Sequence, residues 1–277
     1  MTDDVIIERL SIELSQRCSK ACWFCYSGSH TGGGTRWTAD ALRELVLDCA
    51  TFGVRAVSFG GGEPLESPLL WPTLAATRGR LFRSLTTHGL GLRDPVALTR
   101  LVAAAPDKVH VSIHFPGNTA EVERVIEQVH ALASRGIRSG VNLLVRRSRA
   151  RAAARAAARL RAAGIDNRRV VFLPMRGQDT PTPQQLAAIA GGPFQSMSCL
   201  TACARSPRFC AISWDKTVAW CSYTSSRAPL RALTYAGLQT ALRGLGLSYC
   251  GDGLVRVRAR AGDPRVSRNT DDAGISP

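Results

Sequence analysis

Apolar positions along the first two-thirds of the chain follow two alternating periods. Segments such as residues 10–15 and 108–115 are apolar at every second position, which is the pattern of β-strands. Between such segments, apolar residues recur three or four positions apart, as they do in amphipathic helices. The helix predicted after Thr38 carries an apolar face made of Leu42, Leu45, Val46 and Cys49. The pattern therefore predicts strands and helices in alternation.

The strand-like segments number six, at residues 10–15, 55–64, 83–89, 108–115, 138–145 and 168–174. Residues that stand where helix caps belong separate them, namely Ser67, Asp94, Asn118 and Ser148. Strands that alternate with helices pair in parallel through right-handed crossovers. We therefore predict an α/β fold with either a doubly wound or a barrel-like sheet.

The alternation ends near residue 177 with the Pro-containing stretch GQDTPTPQQ. A cysteine-rich segment follows at 199–221, and the tail from Val255 is charged and has little to bury. We predict three parts: a core at 1–176, a small Cys-rich C-terminal extension at 177–254, and a disordered tail at 255–277.

The net charge of +15 comes almost entirely from arginine. Arg151, Arg155 and Arg159 recur every four residues on an Ala-rich helix, and we expect them to form a solvated stripe. Because no recognition helix or aromatic RNA-binding motif accompanies them, we expect no nucleic-acid partner. A zinc-stabilised nucleic-acid-binding protein remains the alternative from another functional class.

The chain lacks an apolar run of the roughly 18 residues that a membrane-spanning helix needs. Its N-terminus, MTDDVIIERL, is acidic where a secretory signal would be basic. We therefore expect a cytoplasmic protein without a membrane partner. Cytosolic thiols are kept reduced, so the nine cysteines indicate metal or redox chemistry rather than disulfides.

Cys18, Cys22 and Cys25 follow the first predicted strand. Three thiolates cannot complete a four-ligand zinc site, and a 4Fe–4S cluster normally takes four, so three would leave one iron open. The glycines at 60–62, followed by Glu63, end the second strand. Since the carboxyl ends of parallel strands meet at one edge, we expect the cysteine loop and the glycine turn to converge.

The C-x3-C-x2-C spacing, Phe24 before the third cysteine and GGGEP after the second strand together resemble a radical S-adenosylmethionine (radical SAM) enzyme, over residues 5–176. The resemblance implies a partial (β/α)6 TIM-like barrel and a 4Fe–4S cluster held by the three cysteines. It implies that the open iron binds S-adenosylmethionine, and that one electron, from a donor such as flavodoxin or ferredoxin, splits its sulfonium. The resulting 5′-deoxyadenosyl radical would abstract hydrogen from a substrate.

The resemblance also implies roles for individual residues. Gly61, Gly62 and Glu63 would contact the methionine moiety, and the backbone around Phe24 would meet the adenine. On the polar face of the fourth and fifth strands, Ser112 and Asn142 are candidate ribose contacts. The triplet THG differs from the TNG that is frequent in the family. Because His88 replaces the Asn of that triplet, no role of the Asn can be transferred to this chain.

Cys199, Cys203, Cys210 and Cys221 form a second group. The stretch CAISWDKTVAWC resembles the first hairpin of the SPASM or twitch auxiliary-cluster extension, although Lys216 stands near its usual Gly. A second 4Fe–4S cluster, a structural zinc and unliganded thiols are the alternatives. Cys250 would be the hydrogen-atom donor if the enzyme were an epimerase.

For the substrate we favour a ribosomally made peptide, because such extensions are common among peptide-modifying members. A small metabolite, such as an aminosugar-type antibiotic intermediate, is the alternative. The net reaction would be of oxidoreductase or isomerase type.

Overall fold

A computed structural model describes residues 5–196 and 208–247. One sheet of ten strands runs through them. The strands are β1 Arg9–Glu13, β2 Ala56–Gly60, β3 Phe82–Thr87, β4 Lys108–Ile113, β5 Arg138–Val145, β6 Val170–Pro174, β7 Gln195–Ser196, β8 Phe209–Ile212, β9 Thr217–Ala219 and β10 Ala228–Pro229.

The central strands lie in the order β1-β2-β3-β4-β5-β6, and every neighbouring pair is parallel. Parallel neighbours with helical crossovers are the arrangement that the alternating pattern predicts. The predicted α/β fold with a barrel-like sheet is confirmed. The sheet is not closed within the described residues, since β7 and β10 form its two edges.

Helices cover the sheet and, together with the strands, supply the core. They are α1 Ala39–Thr51, α2 Leu70–Ala76, α3 Pro95–Ala104, α4 Thr119–Ala133, α5 Ala150–Ala162, α6 Pro183–Ala190 and α7 Tyr235–Leu242. The predicted apolar face of α1 is fully buried. The helix α5 buries alanines and Leu160 and leaves its arginine stripe exposed, as expected.

The cysteine-rich extension contributes to the same sheet. Strand β8 pairs in parallel with β1, and β9 returns antiparallel to β8, so the resembled hairpin is present. Lys216, at the hairpin turn, has a positive φ of 64°, a conformation that glycine adopts more readily. The extension thus lengthens the sheet on the β1 side.

Two predicted helix starts are wrong. Ser148 does not cap α5, because its N–H and hydroxyl both donate to the Asp179 carboxylate at 2.7 Å, and a short 3-10 turn precedes the helix. The helix α2 begins at Leu70, since Ser67 ends a 3-10 turn over Pro64–Glu66 instead of starting the helix. The segment predicted as a connector leads into α6, which Thr182 and Gln185 cap reciprocally.

Several predictions concern residues outside the described ranges. These are the ligand roles of Cys199 and Cys203, the donor role of Cys250 and the disorder of the 255–277 tail. Among the described helices, none combines the length and the apolar character that crossing a membrane requires.

Candidate active site

A cavity of about 320 Å³ opens where β1 to β6 end. Its walls include the three cysteines of the first group together with the predicted cofactor contacts Phe24, Gly61, Gly62, Glu63, Ser112 and Asn142. The cysteine loop and the glycine turn, separated by more than thirty residues of chain, therefore meet at one place. The expected convergence is confirmed.

The cysteine loop is held by its own backbone. The N–H of Cys18 donates to the His30 carbonyl at 3.0 Å, and the N–H of His30 donates to Gln16 at 3.0 Å, which closes the loop at its base. Ala21, between Cys18 and Cys22, has a positive φ of 46°, uncommon for a residue with a side chain. The loop is thus bent sharply so that its thiols face the cavity.

Burial shapes the chemistry of these thiols. It raises the pKa of Cys22 to about 11, an effect that the nearby Lys20 ammonium opposes. Burial likewise raises the pKa of Cys18, against backbone hydrogen bonds that lower it. Binding iron would therefore release protons from these thiols.

The three thiols of the loop are the donor set that a 4Fe–4S cluster with one open iron takes. Within residues 5–196 and 208–247, no three His, Cys, Asp or Glu side chains converge closely enough to hold one metal ion. In a 4Fe–4S cube each thiolate binds a different iron, so the ligands lie farther apart. All three cysteines line the same cavity, as the ligands of one such cluster must.

The glycine turn packs closely against the end of β1 and the start of the cysteine loop. Gly61 and Gly62 have φ values of 66° and 61°. A Cβ atom at Gly61 would lie 2.1 Å from the Glu13 side chain, and one at Gly62 would lie 2.2 Å from the Arg17 carbonyl oxygen. Glycine is needed at both positions for the conformation and for the space.

Glu63 is 2% exposed and its carboxylate accepts several hydrogen bonds. One oxygen accepts from the Thr87 hydroxyl at 2.6 Å and from the Leu65 N–H at 3.1 Å, and the other accepts from the His88 N–H at 2.8 Å. Burial raises the pKa of Glu63, although the hydrogen bonds from Thr87, His88 and Leu65 oppose the shift. The result is a fixed carboxylate whose charge is poorly solvated and which favours a cationic ligand.

The other predicted contacts lie on two adjacent strands and the loop. Ser112 and Asn142 are direct neighbours in the β4–β5 register, and both are less than a tenth exposed. The Phe24 ring lies 6.0 Å from the His114 ring and 5.6 Å from the Phe115 ring, measured between centroids. His114 also lines the cavity, and burial lowers its pKa to about 3, so it is neutral.

Two features of the site escaped the sequence analysis. Lys20, in the cysteine loop, forms a buried ion pair with Glu121 at 2.9 Å. Tyr223, after β9, places its ring 4.9 Å from the Tyr26 ring and 5.1 Å from the Arg176 guanidinium. Both Tyr223 and Arg176 line the cavity, so the extension supplies part of its wall. The sequence carries no local signal for either feature.

The second cysteine group is represented by two described members in different surroundings. Cys210 is completely buried in the hydrophobic core, where burial and the nearby Cys49 raise its pKa. Cys221 is half-buried and accepts a hydrogen bond from the Tyr223 N–H at 3.4 Å. An apolar core disfavours a thiolate, so the surroundings of Cys210 do not support its predicted role as a ligand. The second cluster stays a prediction.

Residues 12–182, more than half of the chain, match a family model described as the Radical SAM superfamily. A GTP 3′,8-cyclase of Streptomyces coelicolor is 34% identical over 115 residues, and the match covers 38% of this chain and 32% of that enzyme. One from Synechococcus sp. is 36% identical over 109 residues, covering 38% of this chain and 31% of the enzyme. The matched region thus spans about a third of these curated relatives.

Solved structures give the same fold. SuiB of Streptococcus suis bound to S-adenosylmethionine superposes with a TM-score of 0.60 at 12% identity, covering 78% of this chain and 60% of SuiB. The enzyme anSMEcpe with bound AdoMet and a peptide gives a TM-score of 0.59 at 14% identity, covering 83% and 80%. The family match establishes that the chain belongs to the radical SAM superfamily, whose members bind a 4Fe–4S cluster and S-adenosylmethionine.

Proposed function

We propose that this radical SAM enzyme cleaves S-adenosylmethionine reductively and abstracts a hydrogen atom from a peptide or small-metabolite substrate. The observation that carries the proposal is the meeting of the three cysteines with Gly61, Gly62 and Glu63 around one cavity. A cluster held by these cysteines would, once reduced, supply the electron that cleaves the sulfonium of S-adenosylmethionine into methionine and a 5′-deoxyadenosyl radical.

In this proposal the residues of the chain bind and orient. Cys18, Cys22 and Cys25 hold the cluster through their thiolates. Gly61 and Gly62 let the backbone approach the methionine moiety closely, and the Glu63 carboxylate accepts a hydrogen bond from its ammonium group. Ser112 and Asn142 hold the ribose, and the backbone around Phe24 meets the adenine. A cofactor held at all these points leaves its reactive carbon in a defined position.

The substrate would occupy the side of the cavity walled by Arg176 and Tyr223. We favour a peptide, and SuiB bound to its precursor peptide SuiA, with a TM-score of 0.62 at 13% identity, supports this choice as a likeness of fold. A small metabolite of the aminosugar type is the alternative, and the reaction type, oxidoreductase or isomerase, depends on the substrate.

A purine nucleotide is a second candidate substrate, because the relatives in sequence are GTP 3′,8-cyclases. The buried Arg176, 9% exposed in the cavity wall, would suit a phosphate group. Only about a third of each of these two relatives is matched, so the nucleotide proposal extends beyond the matched region.

A second 4Fe–4S cluster on the second cysteine group is part of the proposal, with hydrogen-atom donation by Cys250 as the alternative if the net reaction is an epimerisation. A flavodoxin or ferredoxin would supply the electron. The extension that carries the cysteines lies against the cavity through Ser222 and Tyr223, which supports a role near the substrate.

The test is anaerobic reconstitution of the full chain followed by reduction and addition of S-adenosylmethionine. We expect 5′-deoxyadenosine and methionine in equal amounts. Perdeuterated candidate substrates, GTP or a precursor peptide, should transfer deuterium into 5′-deoxyadenosine if they are the substrate. A reconstituted, reduced protein that binds S-adenosylmethionine but yields no 5′-deoxyadenosine refutes the proposed reaction.

A further inference from the structure

His88 lies deep in the cavity wall immediately after β3, with its side chain 3% exposed. It stands where the family frequently has Asn, so the family resemblance assigns it no role. Its backbone N–H already donates to Glu63 at 2.8 Å. The side chain therefore requires an explanation of its own.

One ring nitrogen of His88 is committed to the local turn. Its Nδ1 accepts a hydrogen bond from the Leu90 N–H at 3.0 Å, which is possible only if Nδ1 carries no proton. The imidazole is therefore the neutral tautomer with its hydrogen on Nε2. His88 thus has a single donor, and the fold determines where it points.

That donor points between two carboxylates. The Nε2 atom lies 3.4 Å from Glu63 Oε2 and 3.5 Å from Glu66 Oε1. It is buried and makes no well-formed hydrogen bond to any described residue. Both separations exceed the usual length of a formed bond, as is common in sites that tighten only when their ligand binds.

Glu66 connects this donor to the cysteine loop. Its carboxylate accepts from the Ser19 N–H at 3.0 Å and also from the Ser19 hydroxyl. Ser19 is the residue that follows Cys18. A continuous chain of polar contacts thus runs from Glu63 through His88 and Glu66 to the cluster loop.

We propose that His88 is a positioning residue for S-adenosylmethionine. The Nε2–H of His88 bridges Glu63 and Glu66 and thereby fixes the Glu63 carboxylate relative to the cysteine loop. The inference rests on the proposed role of Glu63 as acceptor of the methionyl ammonium. As a neutral donor, His88 orients the carboxylates without adding a positive charge that would repel the cationic ligand.

Two substitutions separate this role from simple support of the turn. His88→Gln places an amide donor near the position of Nε2 but loses the acceptor for Leu90. His88→Asn keeps an acceptor near the position of Nδ1 but loses the donor toward the carboxylates. We expect the Kd for S-adenosylmethionine of reconstituted protein to rise about tenfold or more in His88→Asn and to stay within about threefold in His88→Gln.

The spectroscopic readout should follow the same order. The electron paramagnetic resonance signal of the reduced cluster should change on addition of S-adenosylmethionine in wild type and His88→Gln, and at higher concentrations in His88→Asn. Iron content should be equal in all three proteins. The opposite order of affinities, or equal affinities, overturns the proposal in favour of a purely structural turn.

A double-mutant cycle with Glu66→Gln tests the bridge itself. Both substitutions break the same connection between His88 and Glu66. The double variant His88→Asn/Glu66→Gln should therefore bind S-adenosylmethionine about as weakly as the single variant with the lower affinity. Losses that multiply would refute the coupling. Binding is measured directly, so a wild-type protein that binds S-adenosylmethionine but makes no 5′-deoxyadenosine refutes the proposed reaction and leaves this comparison intact.

Discussion

The Lys20 ammonium lies 2.9 Å from the Glu121 carboxylate, with the two side chains only 11% and 8% exposed. The same carboxylate oxygen accepts from the His114 N–H at 2.6 Å. Glu121 therefore joins the cysteine loop to the start of α4, at the end of β4. A buried pair of this kind is costly to break, because the remaining charge is left without a partner.

Glu121→Ala should therefore lower the free energy of unfolding by about 3 kcal/mol. The matched control is Glu123→Ala, which removes a carboxylate 2.6 Å from Arg159 on the exposed face of α4 and α5. The control should unfold as wild type does. Denaturant titration of the reduced protein measures both, and equal losses in the two variants would contradict the assigned difference.

Cys22→Ala should abolish formation of 5′-deoxyadenosine, because the proposed cluster loses one of its three thiolates. Cys49→Ala is the control, since Cys49 is a fully buried thiol on the apolar face of α1. The control should keep both iron and cleavage. Chromatographic detection of 5′-deoxyadenosine decides, and undiminished cleavage by Cys22→Ala would remove the proposed cluster.

Glu63→Gln should weaken binding of S-adenosylmethionine about tenfold or more, because a charged acceptor becomes neutral. Burial raises the pKa of Glu63 above its ordinary 4.5, so the folded state binds more protons than the unfolded state just above that pH. Wild-type stability should therefore fall relative to Glu63→Gln as the pH rises through this window.

Direct binding and denaturant midpoints at several pH values test both expectations. Glu44→Gln, at an exposed position of α1, is the control and should change neither. A pH-independent stability difference between wild type and Glu63→Gln would show that the carboxylate titrates normally.

Cys203→Ala should lower the iron and sulfide content of the reconstituted protein while the first cluster remains, if the second group holds a cluster. Cys210→Ala is measured in the same experiment, because the burial of Cys210 in the core does not support its predicted role as a ligand. Elemental analysis measures the outcome. Iron and sulfide equal to wild type in Cys203→Ala would exclude that residue as a ligand.

His110 gives the protein an acid-sensitive point. Burial, with a contribution from Lys108, lowers the pKa of His110 to about 4 from 6.5. The unfolded state therefore binds more protons between these values, and stability should fall as the pH drops through that range. His110→Gln should reduce this loss of stability at low pH. The control is His130→Gln, at an exposed position, which should not reduce it. Identical urea midpoints for His110→Gln and wild type at every pH would contradict the prediction.

The parts of the site that the sequence predicted are those written in short local patterns. The cysteine spacing and the glycine turn each follow a strand, and parallel pairing then brings the strand ends together. Alternation assigned Ser112 and Asn142 to the polar faces of their strands, and the observed register makes them neighbours.

The parts that were missed depend on contacts distant in sequence. Lys20 and Glu121 are 101 residues apart, and Ser19 and Glu66 are 47 apart. The helix cap at Ser148 was predicted wrongly for the same reason, since its carboxylate partner, Asp179, lies 31 residues away. The local sequence around these residues does not predict their partners, because only the folded sheet brings the pairs together.

The ring of Tyr223 stands between the cysteine loop at Tyr26 and the end of β6 at Arg176. The predicted cofactor contacts and the Tyr223 ring thus come from separate segments of the chain. Under the proposed function, exchanging residues 208–247 between two such enzymes should change substrate preference while sparing cleavage of S-adenosylmethionine.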